Sequence, residues 1–259
     1  MPVQVVLVEP AGPLNVGSVA RLCANFGIEG LRLVAPRCDH LGDEARRMAV
    51  HGGELLSQAS LFPSLEAALA DCERVVATTG RIEGEPLPLQ APVTALSWLL
   101  EGGPRSRAAL VFGREDRGLA NGELLQAGRL LQIGTGPSYP SLNLSHAVAV
   151  VLHELHGLRH GSSPPLQAMP SAAPAGEAAG SAWPDPCRRD ALEAALADAE
   201  ALLLEVGFLL PHTSRARMAK LRALLQRAQV SGGEVALLRG MVCQLRWASR
   251  RRAPSESDT

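Results

Sequence analysis

"VQVVLVEPAGPLNVGSVARLCANFGIEGLRLVAP", residues 3–36, carries the architecture of the chain in miniature. Its first six residues are mostly apolar and rich in valine, as in a strand buried on both faces. Val16, Val19, Ala20, Cys23 and Phe26 then recur at helical spacing, and Gly27 suits a helix C-terminus. Residues 30–36, "GLRLVAP", are a second apolar run, stopped by Pro36. Two buried strands joined through a helix make a parallel βαβ unit.

The same alternation runs on from there. "DEARRMAV" (43–50) and "SLEAALADC" (64–72) read as helices, and "RVVATTG" (74–80) as a strand. "APVTALSWLL" (91–100) is a helix, "AALVFG" (108–113) a strand, "NGELLQAG" (121–128) a short helix and "RLLQIG" (129–134) a strand. An amphipathic helix from Leu144 closes the series. The fold class is therefore α/β, a mostly parallel sheet with helices on both faces. In such sheets ligands bind beyond the carboxyl ends of the strands.

The first domain is expected to span 1–160. Residues 161–186 are dominated by Pro, Ala, Gly and Ser without periodicity, which sets a linker at 161–187. Three helices follow at 188–208, 215–229 and 233–249, making a small all-α extension over 188–249, with a disordered tail at 250–259. From His212 to Arg252 there are ten Lys or Arg against one acid, Glu234, in a chain of net charge −1. So one-sided a run favours an anionic partner, and nucleic acid above all. The five cysteines are scattered with no CxxC pair, which fits reduced thiols in the cytoplasm. No apolar run reaches membrane-spanning length and "MPVQVVLVEP" has no signal-peptide pattern, so no membrane association is expected.

The strand-end loops are "EPAGPLN", "TTGRIEGE", "GREDRGL" and "GTGPSYPSLN". There is no GxGxxG after the first strand, no P-loop, no HExxH and no GxSxG. His146, His153 and His160 repeat every seven residues on one helix face, too far apart for a metal site and better read as a polar or interface stripe. What remains offers backbone groups, short side chains and few acids, a setting for a small polar cofactor held by main-chain hydrogen bonds. Gly113, Gly118, Gly134 and Gly136 would allow close backbone approach.

"PLNVGSVARLCANFG", "LVFGREDRGL" and "IGTGPSYPSLNLSHAVAVVLHE" resemble, in order, the three signature motifs of the SpoU/TrmH group of RNA 2′-O-ribose methyltransferases. "VGFLLP", "MAKLRALLQRAQ" and "EVALLRGM" are similar to the TrmJ branch of that group, which methylates tRNA at nucleotide 32 of the anticodon loop. The resemblance implies a SPOUT fold with a C-terminal deep trefoil knot, S-adenosylmethionine as methyl donor with no metal, tRNA as substrate and a homodimer. It implies a catalytic set of Arg21, Asn15, Glu115, Ser141 and Asn143. The cofactor would lie against Thr78, Thr79, Gly80, Gly113, Ile133, Pro140, Ser141 and Leu142.

On this reading Arg21 grips a phosphate and stabilises a developing alkoxide, since a guanidinium is too weak an acid to serve as a literal base. Asn15 stands at the helix entrance, where it can also act as N-cap. Glu115 orients Arg21 or Asn15, or caps a backbone N–H, orientation being favoured. Ser145 is a first-turn cap or filler. Arg114 and Arg117 are either RNA-phosphate contacts or an ordinary exposed pair. Two alternatives stand beside this one: a methyltransferase of the same group acting on rRNA or another tRNA position, and a non-catalytic RNA-binding protein on the same fold.

Overall fold

The computed structural model describes residues 1–80, 88–103, 105–136, 138, 141–161 and 186–252, the side chains of 251 and 252 excepted. The sheet has seven strands: β1 (Val3–Val8), β2 (Gly30–Val34), β3 (Ser60–Phe62), β4 (Arg74–Thr78), β5 (Leu89–Gln90), β6 (Ala108–Phe112) and β7 (Arg129–Leu131). Their order is β3-β2-β1-β6-β4-β7-β5, and every pairing is parallel. β3 and β5 are edge strands of three and two residues. Neither lies in a longer apolar run, and the sequence pattern gave only the other five; β7 is no longer than β3 but sits within the longer run "RLLQIG".

Period-two alternation divides the core. Val3, Val5 and Leu7 point to one side of β1, where α1 (Pro13–Asn25), α5 (Pro92–Leu100) and α7 (Leu144–His160) pack. Val6 and Val8 point to the other, under α4 (Leu65–Leu69) and α6 (Asn121–Leu124). α2 (Asp43–Ala49) and α3 (Gly53–Ser57) flank α1, joined by a single 3-10 turn, Val50–Gly52. The turn's first residue pays a conformational cost: Val50 has φ 47° and ψ −110°, a region closed to β-branched side chains in ordinary chains.

The C-terminal unit is three helices, α8 (Arg189–Glu205), α9 (Pro211–Ala228) and α10 (Gly232–Arg252), the last running past residue 249, where its periodic pattern stops, to Arg252. Leu192, Leu196, Leu209, Met218 and Val235 form its small core. It is anchored to the sheet domain: Ala223 joins the core beneath β1, and Asp190 donates its N–H to the Ala70 carbonyl at 3.0 Å. Residues 162–185 of the expected linker lie outside the described residues, as do 253–259 of the expected tail. The connection after β7, where the resemblance puts the knot, also includes undescribed residues, 137 and 139–140.

Acids of α8 offset much of the basic run. Arg222 pairs with Glu193, Arg239 with Asp198, and Arg246 and Arg250 with Glu205. Arg217, Lys220 and Arg227, all exposed on α9, fall within an arc of about 80° on its outer side.

Candidate active site

A cavity of about 360 Å³ opens where the carboxyl ends of three neighbouring strands meet the start of α7. Thr78 ends β4 and Thr79 and Gly80 follow it, Phe112 ends β6 and Gly113 follows it, and Ile133 lies just beyond β7. Ser141, Leu142, Leu144 and Ala147 close it from the α7 side. Thus Thr78, Thr79, Gly80, Gly113, Ile133, Ser141 and Leu142 of the expected cofactor set share one wall system, while Pro140 lies outside the described residues.

Gly113 is required by contact: a Cβ there would sit 2.3 Å from the Gly118 carbonyl carbon and 2.5 Å from the Leu119 nitrogen. The loop 113–118 folds back on itself this tightly, closed by Gly118 N–H to the Arg114 carbonyl at 2.9 Å. Gly134 and Gly136, by contrast, face open space, so close packing does not explain them.

Glu115 projects from that loop to the head of α1. Its carboxylate accepts from the N–H groups of Ala11 (3.1 Å) and Gly12 (3.0 Å) and from the Asn15 side-chain amide (3.2 Å). Burial pushes its carboxyl up, but these backbone donors and the amide outweigh it and hold the group below its ordinary range. The Asn15 oxygen in turn accepts from the Asn143 amide at 3.1 Å. The Asn143 oxygen caps α7, accepting from the Ser145 N–H (2.9 Å) and hydroxyl (2.8 Å) and the His146 N–H (3.4 Å). One hydrogen-bonded line therefore ties the β6 loop, α1 and α7 together.

This line revises several expected roles. Asn15 is not an N-cap; Gly12 holds that position and Pro13 follows it. Asn143, expected to face the catalytic side, spends its side chain on α7 and Asn15 and does not line the cavity. Ser145, expected as cap or filler, is buried and donates to the true cap, Asn143. Glu115 does orient Asn15 and also caps backbone N–H groups, but it makes no bond to Arg21. Arg21 is exposed on α1, without a hydrogen bond or ion pair among the described residues, and does not line the cavity.

Arg114 and Arg117 part company. The Arg114 side chain is only 9% exposed and forks onto Glu123 at 2.8 and 2.9 Å, while also pairing with Glu9. Two carboxylates neutralise it, so it is no phosphate contact but a clamp under the cavity loop. Glu9, at the end of β1 with φ 46°, also pairs with Arg37 and, at 3.7 Å, with Arg117. The Arg114 hydrogen bond chiefly holds its carboxyl down, from 4.5 to about 2. Glu123 accepts besides from the Ala120 N–H at 2.7 Å. Neither Glu9 nor Glu123 figured among the expected site residues; the only sequence signal is an acid directly after a buried strand, in "VLVEP". Arg117 stays 61% exposed at the cavity rim.

The three spaced histidines of α7 are exposed, and Phe26 meets the His153 ring edge-on at 6.5 Å. All five cysteines are free. Among the described residues no group of three or more His, Cys, Asp or Glu could hold a metal ion, and no helix is long and apolar enough to cross a membrane.

A parallel sheet with a strand-end cavity, walled by a folded-back glycine loop and tied to the first helix through a carboxylate, matches a known class. The model of the SpoU rRNA methylase family fits residues 2–153, more than half of the chain, and the chain belongs to that family. Residues 190–256 fit the model of the tRNA methyltransferase TrmJ C-terminal domain. Over 99% of its length the chain is 33% identical to the tRNA (cytidine/uridine/adenosine-2′-O-)-methyltransferase TrmJ of Pseudomonas aeruginosa, covering 98% of that protein. It is 40% identical to the tRNA (cytidine-2′-O-)-methyltransferase TrmJ of Methanocaldococcus jannaschii over 60% of this chain and 67% of that one. The crystal structure of TrmJ from Z. mobilis ZM4 superposes with a TM-score of 0.78 at 29% identity, over 95% of this chain and 99% of that one.

Proposed function

We propose that the protein transfers a methyl group from S-adenosylmethionine to a ribose 2′-hydroxyl of tRNA, at nucleotide 32 of the anticodon loop. The observation that carries this reading is the cavity at the ends of β4, β6 and β7, with Gly113, Glu115, Ile133, Ser141 and Leu142 in its lining. Its lining suits such a donor. Ile133 and Leu142 offer apolar faces for a purine, and Thr78 to Gly80 and Gly113 offer short side chains and main-chain groups. Glu115 and Asp116 add negative charge where a sulfonium is positive. When bound, the donor supplies an electrophilic methyl, so no metal is called for.

The protein's own part is alignment and charge. Glu115, Asn15 and Asn143 fix the loop, α1 and α7 relative to one another, acting as positioning residues. Ser141 lines the cavity and is the side chain of the expected catalytic set, with Glu115, that faces it. Arg21 stays free to grip an RNA phosphate and to stabilise the 2′-oxygen as its proton leaves.

Arg21 lies six residues beyond Asn15, about 9 Å further along the helix. That separation supports a homodimer in which a second copy brings its α1 to this cavity. Exposed Leu14 on α1 and Val150 on α7 are apolar groups such a contact would cover. Light scattering should give a dimer at micromolar concentration, and a monomer would remove that part of the proposal. We also assign the protein to the cytoplasm, where its tRNA substrate resides.

A tritium-transfer assay with tRNA and rRNA fragments tests the substrate. Label should enter tRNA, on the ribose of nucleotide 32. Label in rRNA but in no tRNA would overturn the substrate, and no transfer with no heat of donor binding would favour a non-catalytic RNA-binding protein instead.

A further inference from the structure

Among the described residues of the sheet domain, few cations are left free. Arg32, Arg37, Arg74, Arg107, Arg114 and Arg117 all pair with carboxylates. Arg129 and Arg159 reach backbone carbonyls. Among the described residues, that leaves Arg21, Arg46, Arg47 and Arg105 without an ion pair or hydrogen bond from their side chains.

Arg21 lies on α1, and Arg46 and Arg47 lie on α2, which packs against it. α2 crosses α1 at touching distance: a Cβ on Gly17 would lie 2.1 Å from the Ala45 oxygen. One turn further on, a Cβ on Gly52 would lie 2.6 Å from the Ala20 oxygen and 2.7 Å from the Arg21 Cα. Residues 45–52 therefore run alongside residues 17–21. Ala45, Ala49 and Gly52 are buried against α1, while Arg46, Arg47 and His51 are exposed. His51 adjoins Gly52, so its Cα lies within about 8 Å of that of Arg21.

The strained Val50 makes this arrangement specific. It is half exposed, so no buried side-chain contact rewards its left-handed backbone. Strain of this sort persists where the surroundings fix it, and it concentrates at functional sites. Here the turn lets both Ala49 and Gly52 dock on α1 while His51 stands out beside Arg21. The nearby acids form no ion pair with these cations among the described residues. Asp43 and Glu44 sit at the amino end of α2, where the helix dipole favours them, and pair with neither arginine. Glu54 accepts from Gln58.

We propose that Arg46, Arg47 and His51 form, with Arg21, a phosphate-binding ridge on the sheet domain that holds the tRNA backbone next to the reacting ribose, separate from the basic face of α9. This rests on the tRNA-methyltransferase reading and deepens it. Unpaired, exposed guanidiniums bind a polyanion by releasing its counterions, and they fix its position without reading its sequence.

The test is tRNA affinity by fluorescence anisotropy across a salt series, for wild type, Arg46→Gln/Arg47→Gln, Arg46→Lys/Arg47→Lys and His51→Ala. Loss of two phosphate contacts should make the log–log salt slope shallower by about 1.4–1.8 and weaken binding roughly tenfold at moderate salt. The lysine pair keeps the charge and should keep the slope. His51→Ala should raise KM for tRNA several-fold with kcat nearly unchanged. Thermal midpoint and S-adenosylmethionine affinity should match wild type in all three. Unchanged slope and affinity in the glutamine pair, while wild type binds tRNA, would refute the ridge and leave the function standing. Loss of slope in the lysine pair as well would refute charge as its basis. A wild-type protein that binds no tRNA would overturn the function and the ridge together.

Discussion

Arg114 and Arg21 show one residue type put to opposite uses. Beneath the cavity, Arg114 is nearly buried and shared between Glu9 and Glu123. On the α1–α2 side, Arg21, Arg46 and Arg47 are exposed and unpaired among the described residues. The first region spends its charges on building a wall; the second keeps them for a ligand. The C-terminal unit repeats the contrast within one domain. Arg222, Arg239, Arg246 and Arg250 are tied to α8, and Arg217 to the Phe208 carbonyl, whereas Lys220 and Arg227 face outward. Counting cations along a sequence does not distinguish the two uses; partners in space do.

If the division is right, substitutions in the two regions should fail in different ways. The largest effect is expected at Arg21. Arg21→Ala should abolish methyl transfer, a loss of at least about 10²-fold in kcat, with S-adenosylmethionine binding by calorimetry unchanged. Normal turnover in that variant would end its catalytic assignment.

Glu115→Gln comes next. It keeps the shape but removes the charge that gathers Ala11, Gly12 and Asn15. One charge-assisted bond is worth about 1.5–3 kcal/mol, so kcat should fall roughly 10- to 100-fold if the line from loop to α1 sets the geometry. Asn15→Ala should fall in the same range, and the double variant should lose less than the sum. Full additivity would mean that the two act separately.

Arg114→Ala should act on stability rather than on RNA. It strands Glu9 and Glu123, and breaking a partly buried pair costs about 3 kcal/mol, read as a lower midpoint in urea. The tRNA salt slope should not change, because Arg114 meets no phosphate. The wild-type clamp also has a pH signature. Glu9 is held at about 2 in the folded chain against 4.5 for a free glutamate. A depressed carboxyl adds stability above its unfolded value, and that stability drains as pH falls from about 4.5 toward 2. Glu9→Gln should flatten the acid limb of a stability–pH curve over that window; an unaltered limb would contradict the pairing.

The smallest effect is expected on α9. Lys220→Gln/Arg227→Gln should weaken tRNA binding several-fold and make its salt slope shallower by about 1.4–1.8, leaving donor binding intact. An unchanged slope would remove the outer face of α9 from the RNA surface.

Much of this was legible in the chain itself. Five of the strands and most of their covering helices follow from short apolar runs and 3.6-residue periodicity. The cavity walls followed from glycine-rich strand ends and from the three motifs. The edge strands β3 and β5 were not legible, because "SLF" and "LQ" stand outside any longer apolar run, whereas the equally short β7 sits within "RLLQIG". Nor was the clamp: Glu9 lies 105 residues from Arg114 and meets it only because β1 and β6 are neighbours in the sheet, while Glu123 comes from the segment just after β6. The resemblance put Asn143 in the catalytic set, and only its bonds to Ser145, His146 and Asn15 mark it as cap and link. The strain at Val50 has no sequence signal at all, since valine is the last residue a pattern would place at positive φ.

A crystal of the protein grown with S-adenosylmethionine and an anticodon stem–loop RNA would weigh the whole account at once. The donor should lie against Ile133, Leu142 and Gly113, with a 2′-hydroxyl of the RNA facing its methyl group and an Arg21 guanidinium on the adjoining phosphate. A donor bound elsewhere, or RNA that meets only the C-terminal helices and leaves Arg21 in solvent, would contradict it.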